Sequence, residues 1–377
     1  MIKWIRVFFL SVLLGLTTNV LAQSPAHVDS GALDGVGYRI VFPANWQHKL
    51  VMYAHGYEAE GTPIRQSQNP YWTQSMSLFV ERGFAVAASD YANQGLALAQ
   101  GVDDTEKLRH YFIDQYGWPD TTFIVGHSMG GGVTLSLIEN FGDAYDGGLP
   151  LCPLSSPIYV QTRKEFDLYA TFNGLFPGIV ASLDQIFDLQ SDSLDKVNSN
   201  MAERARTIQE QLQAEDSTEV NAFARKFSLK TPDLPFILFF DEKVLRDLAK
   251  RFGGNPFDNI NTLYSGFADD LEVNQKAERM MATVDPGILF SKYDRKGNLA
   301  KPVVIMHTLY DQLIPPSYGV VNYENMVHEQ GKDAFLVVKY TNGQGHCNFT
   351  PAQTATAFDA LRAWVHSGVK AHPGFID

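Results

Sequence analysis

The sequence predicts an α/β fold built on a mostly parallel sheet, from three observations. Short β-branched and apolar runs recur at both ends of the chain, helical stretches separate them, and the middle of the chain has little strand signal. Residues 38–42, 49–53, 84–88 and 121–125 read as buried strands, with helical periodicity over 103–116 between the last two, and 148–151 is strand-like. The pattern resumes with strands at 302–307 and 334–340 flanking a helix over 318–329, and a helix over 350–366 closes the chain. Between them, polar-faced helical stretches are expected at 192–213, 219–227, 242–252 and 273–281. Phe166, Tyr169, Phe172, Phe176, Phe187, Phe236, Phe239, Phe240, Phe257, Tyr264 and Phe267 are spread through this region. The expected organisation is therefore a core of residues 23–154 and 301–377, interrupted by a helical cap insertion at 155–300.

The chain has 377 residues, 45% of them hydrophobic, which is enough for a sizeable core and excludes disorder or a disulfide-framed mini-protein. With 30 Lys and Arg against 42 Asp and Glu, the net charge of −12 argues against nucleic acid as a partner, since a phosphate backbone selects a basic surface. At the start, Lys3 and Arg6 precede an apolar stretch over 7–20, and Val20-Leu21-Ala22 leads into Gln23. This is the pattern of a signal peptide cleaved near Ala22/Gln23, giving a secreted or periplasmic protein with no membrane anchor afterwards. The apolar stretch falls short of the roughly 20 residues that spanning requires.

The segment carrying chemistry is Gly126-His127-Ser128-Met129-Gly130, entered by a β-run from Thr121 and left by helical spacing over 133–141. A serine on a sharp strand-to-helix turn, with glycines where side chains would collide, is presented for nucleophilic attack; it needs a base in reach because a free hydroxyl is a weak nucleophile. No Walker loop, dinucleotide-binding glycine pattern or metal-ligand spacing is found, so neither cofactor nor metal is expected.

On these residues the chain resembles the α/β-hydrolase superfamily, which places its acid and then its histidine after the serine, each in a loop following a late strand. The resemblance covers 38–152 and 302–366. It implies Ser128 as nucleophile, Asp311 as the acid and His346 as the base. Asp285 and Asp294 are rivals to Asp311, but neither follows a strand; His127 and His307 read as packing or supporting residues. The resemblance also implies an oxyanion hole from the backbone N–H of Met129 and, through the loop Ala54-His55-Gly56-Tyr57-Glu58, that of Tyr57. His55, Tyr57 and His127 are candidates for the pocket lining.

Cys347 follows the implied base, and Cys152 ends the strand-like run before the insertion, so both belong at the carboxyl edge of one sheet. A Cys152–Cys347 disulfide is expected there, with two buried thiols as the alternative. Tannase-like and feruloyl esterases also carry a cysteine after the histidine, but pair it with one beside the serine. Here His127 occupies that place, and their substrate class does not carry over. The resulting expectation is a serine hydrolase acting on a small-molecule or polymeric carboxylic ester. A prolyl-oligopeptidase-like peptidase and an acyltransferase remain alternatives.

Overall fold

The computed structural model describes residues 27–377, apart from 64, 66–67, 70–71, 192–193, 195–200 and 292. The expected leader lies outside the described residues, as does the beginning of the helix expected over 192–213. The N-terminal strands are β1 (His27–Leu33), β2 (Val36–Phe42) and β3 (Lys49–Ala54), followed by helix α1 (Trp72–Val80) and strand β4 (Phe84–Ser89). Helix α2 (Leu98–Tyr116) leads to β5 (Thr121–His127), α3 (Met129–Asn140) and β6 (Gly147–Leu151). At the C-terminal end come β7 (Val303–Tyr310), α10 (Val320–Glu329), β8 (Leu336–Gln344), α11 (Pro351–Ser367) and β9 (Gly374–Phe375).

These strands form one sheet in the order β1-β2-β4-β3-β5-β6-β7-β8-β9. Antiparallel pairing is confined to β1 with β2 and β2 with β4; β4 through β9 run parallel. The central strands are buried on both faces, which explains their unbroken apolar runs. In β3, Leu50, Met52 and Ala54 join a core with Leu98, Val102 and Phe112 of α2 and Val133 and Leu137 of α3. The alternate residues Val51 and Tyr53 pack with Phe79 of α1 and Phe358 and Leu361 of α11 on the other face.

Between β6 and β7 the chain forms α4 (Ile158–Leu175), α5 (Leu183–Phe187), α6 (Met201–Leu212), α7 (Ser217–Lys226), α8 (Leu234–Phe252) and α9 (Asp270–Lys276), with no strand among the described residues there. Their apolar residues, among them Phe166, Phe172, Ile237 and Leu245, continue the core on the α2 and α3 face. Polar ties help to seat these helices on the core. Gln161 Nε2 and Lys164 Nζ of α4 both donate to the Leu313 carbonyl, at 3.3 and 3.1 Å, and Asp247 Oδ2 of α8 accepts the Leu96 N–H at 2.8 Å.

The differences from expectation have local causes. β1 is polar and mostly exposed, so it shows no apolar period, and it is held by its ladder to β2. α4 interleaves Arg163, Lys164, Glu165 and Asp167 with its apolar residues, which hides the helical stripe. α8 begins at Leu234 instead of 242, with Pro235 tolerated in the first turn. α9 ends at Lys276 and not at 281, because the next amides are engaged elsewhere: Glu278 N–H donates to the Ala170 carbonyl and Met280 N–H to Asn259 Oδ1.

Candidate active site

Ser128 sits between β5 and α3 with φ 57° and ψ −122°, a conformation that costs a non-glycine residue free energy. Three backbone hydrogen bonds hold it there. Its N–H donates to Leu151 O at 2.9 Å, and its own carbonyl accepts from Leu154 N at 2.9 Å and Gly132 N at 3.2 Å. The glycines are required by close approach: a Cβ on Gly130 would stand 2.1 Å from Ala54 O, and one on Gly126 would stand 2.2 Å from Gly130 O. Met129 begins α3, where the first amides of a helix have no partner within it. Gly56, next to Tyr57, is close enough for a Cβ there to lie 3.9 Å from Ser128 Oγ.

Asp311 and His346 follow β7 and β8, which are adjacent and parallel, so the sheet delivers both to the same edge. His346 Nδ1 lies 2.7 Å from Asp311 Oδ2; the ring N–H donates to the carboxylate, which fixes the tautomer and leaves Nε2 as acceptor. The Leu313 and Ile314 amides donate to Asp311 Oδ1 at 3.0 and 2.8 Å. Burial alone would raise the Asp311 carboxyl, but the hydrogen bond and charge of His346, with help from His307 and the Ile314 amide, hold it below the ordinary carboxylate range. The His346 backbone is itself held, its N–H donating to Gln312 Oε1 at 2.9 Å. Asp285 and Asp294 serve elsewhere: Asp285 caps a short turn through the Gly287 N–H, and Asp294 pairs with Arg295.

Cys152 and Cys347 are joined in a disulfide, with Cα atoms 5.3 Å apart. Cys347 Sγ is 3.5 Å from His346 Nε2, so the bond lies directly beside the ring. Cys152, His346 and Cys347 also bring their ligand atoms within 4.8 Å of one another. With both sulfurs bonded to each other, neither is available as a thiolate for a metal.

A cavity of about 30 Å³ opens at Ser128. The sheet side contributes Ser128, Met129, Tyr57, Leu96 and Leu154, and the Asp311 loop contributes Leu313 and Ile314. The opposite wall comes from Gln161, Thr162 and Glu165 of α4 and Phe240 and Val244 of α8. Of the insertion's aromatic residues singled out in the sequence, Phe240 lines this cavity, whereas Phe166, Phe172 and Phe176 fill the helices' own core. Gln161, Thr162, Glu165 and Val244 carry no motif and were not singled out; the packing of two helices places them.

Of the three residues expected in the pocket lining, Tyr57 borders this cavity and the two histidines lie elsewhere. His55 is buried beneath it, stacked on Tyr91 at 3.8 Å, and its Nδ1–H donates to the Gly56 carbonyl at 2.7 Å. Burial pushes its imidazole down to about 4, against the pull of the hydrogen bond to the Gly56 carbonyl and of the nearby Asp90. His127 turns to the other face of the sheet, where its Nδ1 accepts from Tyr53 OH at 3.2 Å and its ring lines a separate cavity of about 400 Å³. His307 lies 3.8 Å from Asp311 Oδ2 and is lowered by burial, with the Asp311 charge opposing.

An esterase from Aspergillus oryzae matches this structure with a TM-score of 0.53 at 13% identity, over 91% of this chain and 80% of that one. The chain has the α/β-hydrolase fold. Further structures similar to this chain include an esterase from Pyrococcus furiosus, with a TM-score of 0.44 at 12% identity over 89% of each chain. In sequence it is 22% identical to an o-phthalyl amidase from Xanthobacter agilis over 406 residues, 89% of this chain and 86% of that protein. No family model matches the chain. No helix among the described residues is long and apolar enough to cross a membrane.

Proposed function

We propose that this protein is a serine hydrolase that cleaves carboxylic esters. The observation carrying this reading is the 2.7 Å Asp311–His346 pair at the same sheet edge as Ser128, which is held at positive φ between strand and helix. His346 Nε2 takes the Ser128 Oγ proton as Oγ bonds to the ester carbonyl carbon. The resulting oxyanion is stabilised by the Met129 and Tyr57 amides. His346 then returns the proton to the departing alkoxide, leaving an acyl-serine. Water, deprotonated by His346, attacks the acyl carbon; the acid leaves and the proton goes back to Ser128. Asp311 steadies the imidazolium throughout.

In this reading residues 23–154 and 301–377 form the catalytic core, and 155–300 forms a cap whose helices close the cavity over Ser128. Residues 1–22 are a leader, and export to an oxidising compartment is supported by the disulfide. Amide cleavage is the second reading, favoured by the similarity to an amidase. The test is hydrolysis of a p-nitrophenyl ester chain-length series, with aryl esters and a dipeptidyl anilide alongside. Ester turnover is expected, and Ser128→Ala should lower kcat by about 10⁴-fold or more with the melting temperature retained. Preference for the anilide promotes amide cleavage, and a folded Ser128→Ala protein of full activity overturns the proposal.

A further inference from the structure

The two helices that form the wall opposite Ser128 carry acidic oxygens without a hydrogen-bond partner among the described residues. Glu165 of α4 is 5% exposed and lines the cavity. Its Oε1 accepts from Gln161 Nε2 at 3.0 Å, whereas Oε2 has no hydrogen-bond partner among the described residues. Asp241 of α8 is 2% exposed, and its Oδ2 is equally without a partner among them. The two carboxyls come from different helices and act on each other: burial first, and then the charge of Glu165, push Asp241 far above the ordinary carboxylate range. Lys164 is the cation whose charge opposes this at both sites, and its ammonium already donates to Leu313 O at 3.1 Å. The cluster thus has two carboxyls to one ammonium.

The same cavity presents the rings of Tyr57 and Phe240, which meet edge to face with centroids 5.5 Å apart. Aromatic faces attract cations, most strongly where water is excluded. The charge of Glu165 reaches the Tyr57 phenol as well, where it adds to the upward push of burial. An unpartnered buried carboxyl oxygen and an aromatic pair therefore converge on one small space at Ser128.

We propose that this wall is a recognition subsite for a substrate ammonium group, which donates to Glu165 Oε2 and rests against Tyr57 and Phe240. A neutral hydroxyl would donate to the oxygen but gain little from the aromatic faces; an ammonium does both. The inference rests on the ester-hydrolase reading and narrows its substrates to esters carrying a primary amine.

The test pairs isosteric ethyl esters in a pH-stat assay: glycine with propanoate, β-alanine with butanoate, and 6-aminohexanoate with heptanoate. The amino-to-alkyl ratio of kcat/KM in the best pair should fall about tenfold or more in Glu165→Gln, and should fall also in Asp241→Asn. Each ratio is internal to one preparation, so a partly unfolded variant does not distort it, and intrinsic ester reactivity cancels between wild type and variant. A ratio unchanged by Glu165→Gln overturns the subsite. Failure of the ester reading looks different: neither member of any pair is turned over. The subsite is then read without turnover, by thermal melting in n-butylammonium against n-butanol. A stabilisation specific to the ammonium and lost in Glu165→Gln supports it, and equal shifts overturn it.

Discussion

At the sheet edge Ser128 is held through its backbone, whereas the wall across the cavity is seated through side chains. Ser128 is fixed by the Leu151, Leu154 and Gly132 backbone, and Asp311 by the Leu313 and Ile314 amides. On α4 and α8 the ties are Gln161, Lys164 and Asp247, and two carboxyl oxygens have no tie at all among the described residues. Backbone geometry tolerates almost no substitution at the proposed reacting centre, while a side-chain wall can be recut residue by residue. The difference separates a fixed chemistry from an adjustable fit.

Four changes test that separation, beginning with the largest effect. Asp311→Asn removes the acceptor that fixes the His346 tautomer; kcat is expected to fall by about 10⁴-fold with the structure intact, as steady-state kinetics and circular dichroism would reveal. A loss below tenfold would mean that Asp311 does not orient the base. Gly130→Ala drives a Cβ to 2.1 Å from the Ala54 carbonyl, and backbone cannot step aside as a side chain does. A cost of about 3 kcal/mol or more in urea unfolding is expected, and a neutral outcome would show the edge to be softer than its packing implies.

His55 supplies a pH test of the same region. Its folded value of about 4 lies below the ordinary 6.5, so the unfolded chain takes up its proton first as pH falls. Its contribution is fully present above about 6.5 and is lost progressively down to about 4, amounting to up to about 3 kcal/mol. His55→Gln should reduce the slope of urea-derived stability against pH across that window, leaving the part that His127 contributes, and an unchanged slope would remove His55 as a source. Phe240→Ala, on the side-chain wall, should have the smallest effect. A KM increase of roughly tenfold for bulky acyl groups is expected, with stability reduced but kcat for a small ester nearly retained. A collapse of kcat would erase the proposed division of labour.

The two regions also differ in how readable they are. The elbow at Ser128 is local: strand, strained turn and helix are contiguous from Thr121 to Asn140, so the segment announces itself. Asp311 and His346 are legible because each directly follows a strand, and adjacent parallel strands end at one edge. The opposite wall has no such grammar. Buried Lys164 and Glu165 interrupt the apolar stripe of α4, and α8 is buried nearly all round at Leu234, Ile237 and Leu238, so neither helix showed its full length or its face. Which residues reach Ser128 from there depends on how α4 and α8 are seated, a relation between distant segments. His55 and His127 stand beside the site in sequence, but His55 stacks on Tyr91 and His127 borders a separate cavity with Tyr53.

The Cys152–Cys347 bond has a topological consequence. It joins positions 195 residues apart, and all the helices between β6 and β7 lie within the ring it closes, together with Asp311 and His346, while Ser128 lies on the tail outside. A single protease cut anywhere in that ring opens it without releasing a fragment. The nicked molecule remains one covalent species, with the serine and histidine segments leashed to each other through sulfur, and parts into two only on reduction.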